Sequence, residues 1–105
     1  MQDMKVYKFT VVFTPEEDEE GVFNVSVPAL PEVLTFGESL EEARFMAQDA
    51  LELVVLSRLE EGETIPANKK VAKISKGSIV EDVLVTVSHE VKSTPLTPDV
   101  KVAFS

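Results

Sequence analysis

From Leu40 to Glu61 the chain reads LEEARFMAQDALELVVLSRLEE, 22 residues without glycine or proline. Ser39 precedes the run and Glu42 follows three residues later, which is a capping box; acids fill the first turn and Gly62 stands just past the end. A single long helix is therefore fixed between residues 39 and 61. Ala43, Ala47, Ala50, Leu51 and Val54 fall on one side at helical spacing, and the small alanines suit close packing on a sheet. Glu41, Gln48, Asp49 and Glu52 mark the solvent side. Phe45, Met46, Leu53, Leu56 and Leu59 widen the apolar arc beyond what one sheet face needs. Either C-terminal strands cover that arc or it is a protein interface.

The rest of the chain alternates with period two. Lys5–Phe13 places Tyr7, Phe9, Val11 and Phe13 on one face, and Val22–Val27 places Phe23, Val25 and Val27 on one face. Between them lies the acidic loop Glu16–Glu20, five like charges that repel one another and stay solvated. Pro28 ends the second strand, and Pro31 forces Leu30 to be extended, so the crossover has little freedom. A short strand over Val33–Phe36 follows, and Gly37 turns the chain into the helix. After a loop over residues 61–70, residues 71–75 (VAKIS) read as a short strand and KGS as a turn. Ile79–Val91 alternates as a strand and Val100–Phe104 as a last one, with Pro95 and Pro98 between them. The order predicts an α+β fold: βββα followed by β strands, with one long helix on a mainly antiparallel sheet.

At 105 residues the chain is read as a single domain, 1–105, with a C-terminal strand extension at 79–105. No apolar run is long enough to span a bilayer and no secretory signal is seen at the start. Together with zero cysteines, this leads to an expected cytoplasmic location. The net charge is −9, and it is uneven: residues 1–68 carry 15 acids against 4 bases, and residues 69–105 carry 4 against 6. Such a field repels nucleic acid and attracts a basic protein, although acidity also serves plain solubility.

Little in the chain suits catalysis. There is no cysteine, and the one histidine, His89, sits among valines in a strand, where an ordinary structural or surface role is the default. Neither a phosphate-binding glycine loop nor a zinc-ligand set is present. The first two strands hold no Asp or Glu, so a two-metal nuclease centre, which needs acids on rigid elements, is disfavoured. Lys69, Lys70, Lys73 and Lys76 form only a modest basic patch. The chain is expected to be no enzyme and to use no cofactor or metal.

The ordered series Gly21, Val25, Val27, Pro28, Leu30, Pro31, Thr35, Gly37, Ser39, Glu42, Ala43, Ala50, Gly62, Ile65 and Pro66 resembles the HicB antitoxin family. The resemblance covers about Lys5 to Pro66. Pro28, Leu30, Pro31, Gly37, Ser39, Glu42 and Ala43 have structural explanations of their own, as crossover, turn and cap. Two positions depart from the pattern. Glu32 stands where the family usually has glycine after Leu-Pro. Residues 79–105 read as strands, where repressor members carry a ribbon-helix-helix or helix-turn-helix, so DNA binding is not expected.

The resemblance implies a partial RNase H-like module without catalytic carboxylates. It also implies a partner, a small basic HicA-type toxin that cleaves mRNA and is neutralised by protein–protein contact. Candidate contact residues are Glu16, Glu17, Asp18, Glu19, Glu20, Glu41, Asp49 and Glu52. The alternative is a stand-alone oligomeric scaffold or regulatory binding domain with no toxin. Self-association is expected in either case, since the helix arc and the last strand would otherwise leave apolar surface and an unpaired edge.

Overall fold

The computed structural model describes residues 2–90, with side chains described from Met4 to Ser88. Four strands and one helix appear in the order β1 (Gln2–Pro15), β2 (Phe23–Ser26), β3 (Leu34–Gly37), α1 (Leu40–Glu60) and β4 (Ile79–Glu90). The strands form one antiparallel sheet in the order β3-β2-β1-β4. The α+β architecture read from the sequence is the one observed, and α1 packs on one face of the sheet.

Period two decides which side chains that face receives. Phe9, Val11 and Phe13 of β1 lie beside Val25 on β2 and Val85 and Val87 on β4, all buried. The helix answers with Ala43, Ala47, Leu51 and Val55, a column at intervals of four. Two alanines at its start bring the helix backbone close to the sheet, and larger residues fill the widening space toward its end. The sequence reading had named Ala50 and Val54 for this side; both are only half-buried, because the column drifts round the helix by 40° every four residues.

The proline-bracketed segment is a plug. Leu30 N–H donates to the Val27 carbonyl at 3.0 Å, and Val33 N–H to the Leu30 carbonyl at 2.9 Å, so two successive tight turns carry the crossover. Between them Ala29, Leu30 and Val33 enter the core, Leu30 with no exposure at all. Pro31 and Glu32 face solvent. Glu32 accepts from Arg58 Nε at 2.9 Å, tying the crossover to the last turn of α1. Glu32 hydrogen bonding, first to its own backbone N–H and then to Arg58, holds its carboxyl below the usual glutamate range.

Gly37 is the last residue of β3, and its need is space. A Cβ there would lie 2.6 Å from the Ala43 Cα and closer still to the Ala43 nitrogen, so the strand end abuts the first turn of the helix. The positive φ values belong instead to Gly21, Gly62 and Gly77, which corrects the reading of Gly37 as a turn residue. Ser39 caps α1 by accepting from Glu42 N–H at 3.0 Å, and Glu42 Oε1 accepts from Glu38 N–H, one residue earlier than in a standard capping box.

Three further differences from the sequence reading concern boundaries and loops. The third strand begins at Leu34 rather than Val33, whose side chain is taken by the plug. Residues 71–75 form no strand; Ile74 is 55% exposed, and Val71 and Ile74 line a hollow with Thr10, Val80 and Asp82 on the sheet's other face. The fourth strand is described to Glu90. Val100–Phe104 and the His89 side chain lie outside the described residues.

The face away from α1 is crossed by the loop after the helix. Asn68 Oδ1 accepts from Thr10 N–H at 2.8 Å while Asn68 Nδ2 donates to Thr10 Oγ1 at 3.0 Å; Thr10 Oγ1 in turn donates to Asp82 at 3.1 Å. Thr10 is 3% exposed, so this exchange satisfies a buried hydroxyl and a strand amide that β2 does not reach.

Two measurements follow. Gly37→Ala should destabilise the fold by at least about 2 kcal/mol in urea unfolding, since the backbone of Ala43 must move. Gly62→Ala, which meets no atom within 4 Å, should cost only the left-handed penalty of about 1–2 kcal/mol. Because the Glu32 pKa is lowered on folding, its contribution is present above the usual glutamate range and is lost as pH falls through the lowered value. The stability difference between the wild type and Glu32→Gln should therefore shrink from pH 7 to pH 3, measured from urea midpoints.

Candidate protein-docking surface

Two exposed features of α1 lie side by side. Glu41, Phe45, Asp49 and Leu53 succeed one another at intervals of four and so form one column along the helix, with Ser57 beyond them. Phe45 is 68% exposed and Leu53 62%, while Glu41, Asp49 and Glu52 are all exposed around them. Met46, Leu56 and Leu59 are partly buried. Of the arc noted in the sequence, Leu59 packs against the core. Phe45 and Leu53 remain as an acidic-framed apolar stripe that no described strand covers.

The helix is held in this orientation from both flanks. Arg44 grips Glu81 of β4 with Nε–Oε1 at 3.0 Å and Nε–Oε2 at 3.1 Å, and that carboxylate raises the Arg44 pKa. Gln48 Nε2 donates to the Leu84 carbonyl at 3.0 Å and to Glu52 at 3.2 Å. On the other flank Arg58 joins Glu32 and donates to the Thr64 carbonyl at 3.3 Å. These bonds engage the nearby cations, Arg44 with Glu81 and Arg58 with Glu32; Arg44 also feels the charge of Glu41, one turn before it.

At its C-terminal end the stripe runs into a shallow groove of about 240 Å³, lined by Glu32, Leu53, Val54, Ser57, Arg58 and Glu63. Its floor is apolar and its rim carries two carboxylates against one guanidinium. Sequence reasoning did not find this groove, because it depends on the 26-residue separation between Glu32 and Arg58 closing in space. Glu32, at the position where the resemblance led one to look for glycine, was the available signal. A second hollow of about 280 Å³ lies on the other face, under the loop, lined by Thr10, Lys70, Val71, Ile74, Val80 and Asp82.

The acidic loop behaves as two parts. Glu16 accepts from Asn24 Nδ2 at 2.9 Å and from Glu17 N–H at 3.1 Å, and the Asn24 bond is the main cause of its lowered pKa. Its carboxylate thus fastens the loop to β2. Glu17, Asp18, Glu19 and Glu20 are exposed. The loop closes through Glu16 N–H to the Val22 carbonyl at 2.8 Å, with Gly21 at φ +85°. A Cβ at Gly21 would stand 3.6 Å from the Glu38 carbonyl, so the loop sits against the entry to α1. Loop acids and helix acids are thereby brought to one end of the molecule, whereas Asp49 and Glu52 lie two turns or more along the helix. Among the described residues, no three His, Cys, Asp or Glu are arranged to hold a metal ion, and no helix is long and apolar enough to cross a membrane.

Comparison with known proteins gives this surface a setting. Residues 9–102 match the model of the HicB-like antitoxin of bacterial toxin-antitoxin systems. A UPF0150 protein of Thermoplasma acidophilum is 37% identical over 59 residues, which is 56% of this chain and 83% of that protein. Antitoxin HicB 1 of Photorhabdus laumondii is 47% identical over 53 residues, half of this chain but only 34% of that protein. The fold is shared with a chain of a toxin-antitoxin complex from Streptococcus pneumoniae, at a TM-score of 0.64 and 17% identity, over 90% of this chain and 82% of that one. With the family's model matched over nearly its whole length, the chain belongs to the HicB-like antitoxin family.

Proposed function

We propose that this protein is a non-enzymatic antitoxin that neutralises a small basic toxin of the HicA type by docking on the outer stripe of α1. The observation that carries the reading is the column Glu41–Phe45–Asp49–Leu53, two exposed apolar side chains set among carboxylates whose nearest arginines are already engaged. Phe45 and Leu53 supply the desolvated centre, since burying side chains of that size is worth about 1.5–3 kcal/mol each. Glu41, Asp49 and Glu52 form the rim, with Glu17–Glu20 farther out. Exposed charge pairs are worth about 0–1 kcal/mol each, so the acids steer and orient more than they bind. A ribonuclease that holds RNA must present a positive face, and an acidic partner placed there blocks it sterically and electrostatically.

The second reading, an oligomeric scaffold without a toxin, rests on the same stripe: Phe45 and Leu53 meeting their counterparts in another copy. Charge separates the two. Two copies would bring Glu41, Asp49 and Glu52 against their own kind, a repulsion that a basic partner turns into attraction.

The test is titration of the purified protein with the small basic protein encoded beside its gene, by calorimetry. Phe45→Ala and Leu53→Ala should each weaken the complex at least about tenfold through faster dissociation. Asp49→Lys with Glu52→Lys should slow association and flatten its dependence on salt, leaving the fold's urea midpoint nearly unchanged. Absence of a complex at low salt removes the antitoxin reading. A complex that is indifferent to Phe45 and Leu53 keeps the antitoxin reading and moves the docking surface elsewhere.

A further inference from the structure

β3 has β2 on one side and no described strand on the other. The bond from Glu16 N–H to the Val22 carbonyl fixes which of its backbone groups point outward. With Glu16 and Val22 bonded across the ladder, Asn24 and Ser26 also turn their N–H and C=O toward β1, and Phe23 and Val25 turn theirs toward β3. Gly37 and Thr35 stand opposite Phe23 and Val25 and complete those bonds. Leu34 and Phe36 therefore direct their N–H and C=O away from the sheet.

The side chains of the same two residues are open as well. Thr35 shares the face of Val25, beneath α1, so Leu34 and Phe36 lie on the opposite face, beside Ser26 and Asn24. Leu34 is 77% exposed and Phe36 55%. A free edge is ordinarily blunted by a charge, a proline or a bulge, and the strand LTFG contains none of them. Apolar side chains and open backbone groups on one edge are what an added strand pairs with. β3 is only four residues long, so backbone bonds set the register and side chains and charge must supply much of the affinity.

Charge decides whose strand it is. At the Gly37 end Glu38 is exposed, and Gly21 of the acidic loop stands against its carbonyl. Glu16 is held there by Asn24, the cross-strand neighbour of Phe36. At the Leu34 end Arg58 faces two carboxylates, Glu32 and Glu63. Both ends are thus net negative. A second copy pairing antiparallel about Thr35 would set Glu38 opposite Glu32 of the other copy, acid against acid. A strand with an apolar centre and Lys or Arg at its ends meets the same groups with attraction. We infer that the outer edge of β3 takes an extended segment of a basic protein, which joins the sheet as a further strand beside Leu34 and Phe36. Those two side chains lie on the sheet face away from α1, so the edge is separate from the helix stripe and the inference does not rest on the toxin reading.

NMR of the full chain tests it with two synthetic peptides, each of alternating valine and threonine, flanked at both ends by lysines in one and by glutamates in the other. The lysine peptide should shift the Leu34 and Phe36 amides and slow their hydrogen exchange at least about tenfold at saturation. The glutamate peptide should bind at least about tenfold more weakly. Leu34→Ser and Phe36→Ser should each weaken the lysine peptide about two- to fivefold, with the urea midpoint nearly unchanged because both side chains are exposed. Failure of the lysine peptide to bind at millimolar concentration overturns the inference. So does equal binding of the two peptides, and so do shifts centred outside β3. Slow exchange of Leu34 and Phe36 in the protein alone overturns it too: if the protection grows with concentration, a second copy holds the edge, and if it does not, the chain covers the edge itself.

Discussion

The end of β3 lies directly against the first turn of α1, where the lack of a side chain at Gly37 leaves room for the backbone of Ala43. The rest of the architecture depends on that contact. It sets the height of the helix above the sheet at its N-terminus, and Ala47 preserves that height one turn on. It also fixes the angle at which the helix leaves the strand. Leu51 and Val55 then meet the β1 and β4 valines, and Arg44 and Gln48 come within reach of β4. A bulkier residue at position 37 would lift the helix and loosen all of these together.

Much of this was legible in the sequence because it is local. The period of two, the uninterrupted helical run, the Ser39 cap and the two prolines each act within a few residues of where they are written. The acids likewise fell where they were sought: Glu17–Glu20 in a solvated loop, Glu41, Asp49 and Glu52 on the open side of the helix. What stayed hidden acts at a distance. Neither the Thr10–Asn68 exchange, 58 residues apart, nor the Arg58–Glu32 bond leaves a trace in any local window. Residues 71–75 read as a short strand but form none, their exposed residues lying over the sheet rather than in it. Glu16 looked like its four acidic neighbours and differs only because Asn24 lies across the ladder.

The division of labour between faces follows from the same arithmetic. The sheet has one helix to cover one face. The other face has only a loop, and the helix has nothing described over its outer side. A small α+β unit of this kind hides its alternating residues well and leaves Phe45, Leu53, Met4 and Val6 in water. Exposed residues of that size favour aggregation, and the negative charge of the chain opposes it.

Asn68 carries one last consequence. Its amide gives a proton to the Thr10 hydroxyl, whose own proton goes to Asp82. Hydrolysis of that amide, the common ageing reaction of asparagine, would exchange the donor for a second carboxylate. One hydroxyl proton would then stand between two negative groups, with an acceptor left over. An old molecule would therefore fail first at this clasp, with the loop parting from the strand while the helix and its sheet remained together.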